Sequence, residues 1–356
     1  MNAQSEPRPL ALVTGASGFI GSELVRKLAV RGYRVRVLLR STSSEKNLEG
    51  ATYEICRGSL DHRASLREAV RGVDVVFHLA GLVTAARPES LFKANCEGTQ
   101  LLAEACWEEA RERQNLARFV YVSSLAAGGP SWIGKPRTEW DPDRPVSAYG
   151  RSKLAAEKIL EKHAEWFPVT IVRPPAVYGP RDRGIFEFIR LASYGVLPTF
   201  PAQVKGSAKT YSLIHVRDLV EGIVRAGAND TAVSPSQRRR FERFYLAGDG
   251  LYEWESVIRL AGKALGKPSL LRLPLPRWFW LTRAGVYTLI TRVTGREFPL
   301  TLDKIPELTA DQWTCSSEKA KEVLGFAPSV VVEDGILETV QWYFTAGWLP
   351  LQKAPR

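Results

Sequence analysis

The sequence predicts an α/β protein built on a doubly wound, parallel β-sheet. Short apolar runs alternate with helical patterns between residues 10 and 172, as happens when a crossover helix joins each parallel strand to the next. A glycine-rich turn, Gly15 to Gly21, connects the first run to the first helical pattern. Small and polar residues follow several runs, at the edge where such sheets bind ligands. These observations predict a ligand site beyond the carboxyl ends of the strands.

The composition is that of a large globular protein. The 356 residues are 45% hydrophobic and 24% charged, which allows one large domain or a domain with a smaller one. A net charge of +11 suits an anionic cofactor or substrate or an acidic membrane surface; nucleic-acid binding would rest on charge alone and is not predicted. Four cysteines lack C-x-x-C pairing, and there is no apolar leader or run of 18 apolar residues. We expect reduced thiols, no metal site and a cytoplasmic protein, with membrane association left open.

The first strand and its turn are typical of a dinucleotide site. Leu10 to Val13 leads into Thr14-Gly-Ala-Ser-Gly-Phe-Ile-Gly21, and a helical pattern follows. Gly15 permits a tight turn, Gly18 lets backbone approach a pyrophosphate, and Gly21 lets the helix pack on the sheet. The helix N-terminus offers N–H groups and a positive dipole to phosphates. The cofactor-binding residues predicted here are Gly15, Ser17, Gly18, Phe19 and Ile20.

The second strand indicates which dinucleotide is bound. It runs from Arg34 to Arg40, and no Asp or Glu follows until Glu45. Sites that prefer NAD usually place an acidic residue here for the ribose hydroxyls, whereas an arginine accommodates a 2′-phosphate. The sequence therefore favours NADP(H) over NAD(H), with Arg40 on the phosphate.

Three further strands and a long helix are predicted downstream, the strands at 52–56, 74–81 and 118–124 and the helix at 89–113. The fourth strand ends in a small-residue turn, 79–81, where a cofactor can lie close. His78 in its apolar run is predicted to be a buried, hydrogen-bonded residue rather than a catalyst. The fifth strand ends in two hydroxyls, Ser123 and Ser124, at the same edge of the sheet.

Tyr149 and Lys153 form a candidate acid–base pair. Four residues apart on a predicted helix, they share one face. A phenol is a poor acid or base at neutral pH because its ordinary pKa is about 10. A nearby ammonium favours the phenolate and brings proton transfer within reach, and the same lysine is able to hold a ribose hydroxyl.

Together the motifs resemble the extended short-chain dehydrogenase/reductase family, also called the NAD(P)-dependent epimerase/dehydratase family. They occur in family order over residues 10–225 and are T-G-x-x-G-x-x-G from Thr14, H-x-A-G from His78, N-x-x-G-T from Asn95, V-S-S from Val122, Y-x-x-x-K from Tyr149, R-P-x-x-V-Y-G-P from Arg173 and I-H-V-x-D-L from Ile214. The resemblance implies a Rossmann sheet with a smaller α+β substrate-binding lobe.

The resemblance also implies residue roles. Tyr149 would be the acid/base on the substrate oxygen, Lys153 would lower its pKa and bind the nicotinamide ribose, and Ser124, in preference to Ser123, would hydrogen-bond the substrate oxygen. Asn95 would support the active-site water and backbone. Besides the glycine turn and Arg40, the cofactor-binding residues implied are Ser59, Leu60, Leu79, Ala80, Gly81, Asn95, Val122, Tyr149, Lys153, Pro175 and Val177.

Three departures from the family pattern bear on the cofactor contacts and on the substrate class. Ser59 stands where an aspartate often lies near the adenine, which puts that contact in doubt. Leu125 and Ala126 replace the Asp-Glu of sugar-nucleotide dehydratases, and Tyr211 replaces the arginine that holds the diphosphate in sugar-nucleotide epimerases. A nearby lysine, at 205 or 209, could compensate for that arginine, so these departures do not by themselves decide the substrate.

These points predict an NAD(P)(H)-dependent oxidoreductase acting on a ketone or secondary alcohol of an apolar substrate, ring-containing substrates included. The nearest resemblance is to the hydroxysteroid dehydrogenase and dihydroflavonol reductase-like branch. The alternative is a sugar-nucleotide epimerase working through a transient keto intermediate.

The second half is predicted to supply the lobe. The expected division is a cofactor domain at 1–180, with 205–248 partly contributing, and an interleaved lobe at 181–204 and 249–356. Residues 274–293 are apolar and aromatic, interrupted by Arg277, Arg283 and Arg292, and too interrupted to span a bilayer. Three interpretations stay open: a core helix, a wall over an apolar substrate, or a peripheral membrane contact through 277–293. A homodimer through the helices at 89–113 and 147–166 is a further expectation.

Overall fold

The computed structural model describes residues 8–85, 87–113, 116, 118–199, 208–228, 240–294 and 301–350. The strands are β1 (Leu10–Thr14), β2 (Arg34–Leu39), β3 (Glu54–Arg57), β4 (Val75–His78), β5 (Arg118–Val122), β6 (Val169–Arg173), β7 (Ala176–Tyr178), β8 (Val196–Thr199), β9 (Thr210–Tyr211), β10 (Leu213–His215), β11 (Phe241–Tyr245), β12 (Tyr252–Glu253), β13 (Leu271–Pro274) and β14 (Gln312–Trp313).

The helices are α1 (Phe19–Val30), α2 (Arg63–Val70), α3 (Pro88–Phe92), α4 (Gly98–Arg113), α5 (Leu125–Gly128), α6 (Ala148–His163), α7 (Phe186–Ser193), α8 (Val216–Gly227), α9 (Trp254–Ala264), α10 (Arg277–Thr294), α11 (Ile305–Thr309), α12 (Glu318–Leu324) and α13 (Val332–Thr345).

A seven-stranded sheet forms the centre, in the order β11-β6-β5-β4-β1-β2-β3. All of its strand pairs are parallel; Val13 of β1, for example, pairs with Val37 of β2 on one side and Phe77 of β4 on the other. The strand order reverses at β1, so that a crevice opens beyond the carboxyl ends of β1 and β4. This confirms the predicted doubly wound α/β fold.

Helices cover both faces of the sheet. On one face α1 and α8 pack together over the strands, joined by α12 through Ala320 and Leu324. On the other face the buried residues come from α2, α4 and α6, with Phe167 packed beneath them. The two buried layers account for the continuous apolar runs of the strands, because a parallel sheet is buried on both sides.

The long helix predicted at 89–113 is interrupted by one wider turn. Residues Lys93–Glu97 are π-helical and join α3 to α4 without a break. Such turns are common at functional sites. Here the turn holds Asn95, which is fully buried.

The later elements build a separate apolar cluster, in which α7, α9 and α13 pack around Ile189, Ile258 and Tyr343. Pairs and triplets of short strands, β10-β7, β12-β9-β14 and β13-β8, lie beside it. The predicted division between cofactor domain and lobe stays a prediction, and α12 packs on the sheet although it falls within the predicted lobe. Residues 229–240 are polar and basic, a composition that predicts a surface loop; except for Arg240, they lie outside the described residues.

None of the described helices is long and apolar enough to cross a membrane. All four cysteines lie in the described residues, and each is a free thiol.

Candidate active site

The turn between β1 and α1 is lined by bare backbone. Gly15 has φ +71°, and a Cβ there would lie 2.7 Å from the Ala80 nitrogen. A Cβ on Gly21 would lie 2.1 Å from the Gly15 oxygen. Gly18 precedes α1, and no side chain caps that helix. The turn is therefore pressed against the end of β4, with the helix N–H groups left for an anion.

The neighbouring strand ends place polar groups at the same edge. Arg40 follows β2 and is exposed. Ser59, after β3, donates its hydroxyl to the Asp61 carboxylate at 2.5 Å, and this bond lowers the pKa of Asp61. Sequence reasoning noted the aspartate missing at position 59 and overlooked this carboxylate two residues later. Leu60 packs closely beside Gly98 of α4.

His78 is a buried link between elements, as predicted. Its Nδ1 lies 2.6 Å from the Thr14 hydroxyl and its Nε2 2.9 Å from the Thr99 hydroxyl. Burial, together with the positive charge of Lys153, lowers its pKa to about 3. The imidazole is therefore neutral at physiological pH and joins β4 to β1 and α4.

Asn95 fastens the loop after β4 to α6. Its Oδ1 accepts from the Leu82 N–H at 2.7 Å, and its Nδ2 donates to the Leu82 carbonyl at 2.8 Å and to the Ser152 hydroxyl at 3.0 Å. A Cβ on Gly81 would lie 2.6 Å from Asn95 Oδ1 and 3.5 Å from Lys153 Nζ. Gly81, Asn95 and Lys153 are thus brought together.

Tyr149 lies in the first turn of α6, and its phenol is near the Ser124 hydroxyl. The Ser147 hydroxyl caps the helix by accepting from the Gly150 N–H at 2.9 Å. Burial raises the pKa of Tyr149 to about 12; the nearby Ser124 hydroxyl opposes this shift, and the negative charge of Glu307 adds to it. The Tyr149–Lys153 spacing suggests a lowered tyrosine pKa. The pKa is raised instead, because the cost of burying the phenolate outweighs any stabilisation by a nearby cation.

Lys153 is buried one turn along the same helix. Its Nζ donates to the Val122 carbonyl at 2.9 Å and lies 4.7 Å from the centre of the Tyr121 ring. Burial lowers its pKa to about 8, although the carboxylate of Glu157 opposes the shift. The ammonium is therefore charged at neutral pH and lies where β5 ends.

The structure distinguishes the two serines that follow β5. Ser123 donates to Glu157 Oε1 at 2.5 Å, and Arg173 holds the same carboxylate through Nε at 2.8 Å and Nη2 at 2.6 Å. Ser124 caps α5 by accepting from the Ala126 N–H at 3.1 Å. The Ser123 hydroxyl is thus committed to a buried ion pair, which agrees with the choice of Ser124.

A distant segment covers the start of α6. Asp303 accepts from the Ala148 N–H at 2.6 Å and the Tyr149 N–H at 3.2 Å. Lys304 Nζ lies 4.0 Å from the centre of the Tyr149 ring and pairs with Glu307 at 2.9 Å. The Ser147 hydroxyl donates to Glu307 as well. Sequence reasoning missed this segment, since nothing local marks residues that meet across about 155 positions.

The surroundings of Tyr149 are mostly apolar. The cluster that contains it also includes Leu91, Leu125, Ala126, Ala148, Tyr245, Ala247, Ala310, Trp313 and Cys315. Tyr211, which replaces the expected arginine, packs against this cluster and lies 5.6 Å from the Trp254 ring. At the position where related epimerases carry an arginine for the substrate diphosphate, this chain therefore has an aromatic side chain.

Lys209 does not replace the missing arginine. Its Nζ donates to the carbonyls of Leu308, Thr309 and Ala310 at 3.1, 2.9 and 2.9 Å, and lies 3.7 Å from Asp311. Of the two lysines left open as substitutes, Lys209 is therefore engaged elsewhere, because three local carbonyls accept from its ammonium. Lys205 lies outside the described residues.

The remaining predicted cofactor residues follow β6. Pro175 is buried, directly after the Pro174 carbonyl that accepts from the Leu125 N–H at 2.8 Å. Val177 of β7 pairs with Ile214 of β10. The structure thus gathers the predicted residues at one edge of the sheet, while their roles stay predictions.

Comparison with known proteins gives consistent matches. Residues 11–238 match the NAD dependent epimerase/dehydratase family. A Caulobacter vibrioides protein named ceramide reductase is 33% identical, over 97% of this chain and 98% of its own length. A farnesyl-dihydroquinoline-oxide ketoreductase from Stigmatella aurantiaca is 28% identical, over 91% and 93%. The crystal structure of gox2253 superposes with a TM-score of 0.77 and 27% identity, over 96% of this chain and 100% of that one.

Proposed function

Because the chain belongs to the NAD dependent epimerase/dehydratase family and is a nicotinamide-dependent oxidoreductase, we propose that it transfers hydride between NADP(H) and a ketone or secondary alcohol of an apolar substrate. The observation that supports the substrate class is the apolar wall around Tyr149. A sugar diphosphate would need an unpaired cation at this wall, but Tyr211 stands at one expected position and Lys209 is enclosed by carbonyls. Lys304, which lies beside the Tyr149 ring, is already paired with Glu307.

The edge of the sheet suits a dinucleotide. A side chain at Gly15 or Gly21 would meet backbone at 2.7 or 2.1 Å, so only bare backbone fits the turn that would face the phosphates. In our proposal the residues from Gly15 to Ile20 hold the pyrophosphate, and exposed Arg40 holds a ribose 2′-phosphate. An ammonium has three donors; Lys153 gives one to Val122 and would give another to the nicotinamide ribose. When bound, the reduced nicotinamide supplies the hydride.

Tyr149 is proposed to act first as an acid. A pKa of about 12 keeps the phenol protonated at neutral pH, which suits reduction of a ketone. The Tyr149 O–H bond breaks as its proton passes to the carbonyl oxygen, while the carbonyl carbon receives hydride. Ser124, whose hydroxyl lies near the phenol, would donate to the same oxygen and fix its position. The charged Lys153 would stabilise the phenolate that results.

The proposed substrate class is a long-chain or otherwise lipid-like ketone. The buried cluster around Tyr149 includes Leu91, Leu125 and Trp313. The cation beside its ring, Lys304, is paired with Glu307. Full-length relatives carry names that refer to ceramide and to a farnesylated quinoline, and both names describe largely apolar molecules. An apolar wall binds such chains by removing them from water.

Net cofactor turnover tests this function. The purified protein is incubated with NADPH or NADH and lipid ketones, ceramide-type ketones among them, and the absorbance of the reduced nicotinamide is followed. We expect net oxidation of the cofactor, and about a thousandfold loss of turnover in Tyr149→Phe because only the proton relay is removed. Cofactor binding should be nearly unchanged in that variant. The matched control is Tyr194→Phe, at an exposed tyrosine, which should keep full activity.

Two outcomes would count against the proposal. Normal turnover by Tyr149→Phe would exclude the tyrosine as the proton donor. Conversion of a sugar nucleotide without net change in the cofactor would instead support an epimerase.

A further inference from the structure

The outward face of α10 is apolar. Trp278, Val286, Leu289 and Val293 are 67%, 50%, 62% and 78% exposed. With the exposed Thr282 they recur at intervals of three and four residues, so they form one stripe along the helix. A surface helix ordinarily turns its polar side to water. This helix does the reverse.

The inward face of α10 combines one tryptophan with alanine and threonine side chains. Trp280, Ala284, Thr288 and Thr291 are buried, and they also recur at intervals of three and four residues. Trp280 and Ala284 pack against Ile305 of α11. The Thr288 hydroxyl accepts from the Leu302 N–H at 3.1 Å. The helix is therefore fixed in orientation, and the apolar stripe is held away from the protein.

The charged residues of α10 itself are all basic. Residues 256–296 contain eight lysines and arginines and no aspartate or glutamate. At 100° per residue, Arg283 and Arg292 lie on opposite sides of the stripe. Arg292 is exposed, and Arg283 is half-buried against Tyr287. An apolar stripe with a tryptophan at one end and arginines on both sides is the pattern of a helix that lies in a membrane interface.

We propose that α10 binds the surface of an anionic lipid bilayer, lying parallel to it. Trp278, Leu289 and Val293 would enter the boundary between headgroups and acyl chains, while Arg283 and Arg292 would reach the phosphates. A second copy of the chain fits this face less well, because a symmetric pairing would bring the same acid-free segments together. The inference goes beyond the proposed function and does not depend on it.

The packing of α10 also gives this contact a route to the candidate site. α10 is held by Leu302 and Ile305, and the residues between them include Asp303 and Lys304, which contact the backbone and ring of Tyr149. A bilayer bound to the outward face of α10 would therefore be separated only by that helix from the segment that covers the phenol.

Vesicle flotation tests the proposal without an activity assay. The full chain is mixed with vesicles of phosphatidylcholine alone, or of phosphatidylcholine with phosphatidylglycerol. We expect flotation with the anionic vesicles, weakened by high salt because the charge contribution is screened. The triple variant Trp278→Ser, Leu289→Ser, Val293→Ser should bind at least about tenfold more weakly, since it removes the inserted apolar area.

A matched control separates the stripe from general surface hydrophobicity. Trp140, Leu337 and Val30 are also exposed, at 76%, 43% and 83%. Changing these three to serine should leave flotation unchanged. Equal binding by wild type and the stripe variant would overturn the proposal, as would absence of flotation with anionic vesicles. A dimer that the stripe variant abolishes, without vesicle binding, would assign the face to self-association.

Discussion

At the scale of single residues, His78 shows how burial suppresses a charge. Its pKa is about 3 in the folded protein, against an ordinary value of about 6.5. Between these values the folded protein binds fewer protons than the unfolded chain. Stability therefore falls as the pH falls through this window, by up to about 1.4 kcal/mol per pH unit.

Replacing His78 by phenylalanine should remove that dependence. His78→Phe keeps a ring beside Tyr121, which the imidazole stacks on at 5.4 Å. The Thr14 and Thr99 hydroxyls retain other partners, the Ala80 N–H and the Asn95 carbonyl. We expect a cost of about 1–2 kcal/mol at neutral pH for the lost hydrogen bonds, and a shallower loss of stability on acidification. Urea unfolding at a series of pH values measures both; an unchanged pH slope would contradict the assignment.

Arg40 carries the prediction about cofactor choice. Arg40→Asp replaces a cation suited to a 2′-phosphate with an acceptor suited to ribose hydroxyls. We expect the affinity for NADPH to fall at least about tenfold and the affinity for NADH to rise. Fluorescence titration with each cofactor measures this ratio. Arg8→Asp makes the same charge change before β1, at the opposite edge of the sheet, and should leave the ratio alone. An unchanged ratio in Arg40→Asp would remove Arg40 from the site.

Candidate residues whose relative positions depend on short sequence spacings were predictable from the sequence. The glycines of the first turn, Ser124, and the Tyr149–Lys153 pair follow from short motifs, because each depends on a strand end or one turn of helix. The Asp61 carboxylate was overlooked because the aspartate that often lies near the adenine was sought only at position 59, and not two residues later. The direction of the pKa shift at Tyr149 depends on burial, which a spacing does not report.

At the scale of elements, α6 begins with support from far along the chain. Ser147 is its local cap, and Asp303 adds acceptors for the N–H groups of Ala148 and Tyr149. A carboxylate is favourable at this end of the helix, since it faces the positive end of the helix dipole. The first turn, which carries the phenol, is thus held from both sides.

Asp303→Ala should lower turnover while leaving cofactor binding largely intact. It removes two hydrogen bonds at the start of α6, and we expect a loss of about 1–2 kcal/mol in stability. Turnover should fall while cofactor affinity changes little, because Tyr149 loses its fixed position and the glycine turn is untouched. Asp334→Ala, an exposed aspartate in the first turn of α13 without a side-chain cap, is the control and should cost less. Equal kinetic effects in both variants would exclude a positioning role for Asp303.

The presence and approximate bounds of the helices and strands were predictable from the sequence, whereas the contacts between them were not. The strands and helices of the first half lie close to their predicted bounds because apolar periodicity reflects burial. The π-helical turn at Lys93–Glu97 was missed, since a single wider turn leaves the apolar pattern on both sides intact. For α10, periodicity gave three interpretations, and only its packing against Ile305 tells which face is inward.

At the scale of the whole molecule, a buried ion network joins the sheet to the site. Glu157 of α6 accepts from Ser123 and from Arg173 of β6, while Arg243 of β11 lies 3.2 Å from the same carboxylate. Arg173 also pairs with Asp143 at 2.6 Å. The R-P-x-x-V-Y-G-P motif therefore has a structural role through its arginine: it ties the three strands on this side of the sheet to the helix of Tyr149.

Removing one partner of this network should be far more costly than removing a surface charge. Glu157 is fully buried, so Glu157→Gln leaves the Arg173 guanidinium without its bidentate carboxylate. We expect the free energy of unfolding to fall by about 3–5 kcal/mol. Glu108→Gln breaks the pair with Arg67, whose side chain is 64% exposed, and should cost less than about 1 kcal/mol. Urea unfolding compares the two variants. Similar small losses in both would mean that the network is replaceable and that the fold around Tyr149 depends on apolar packing instead.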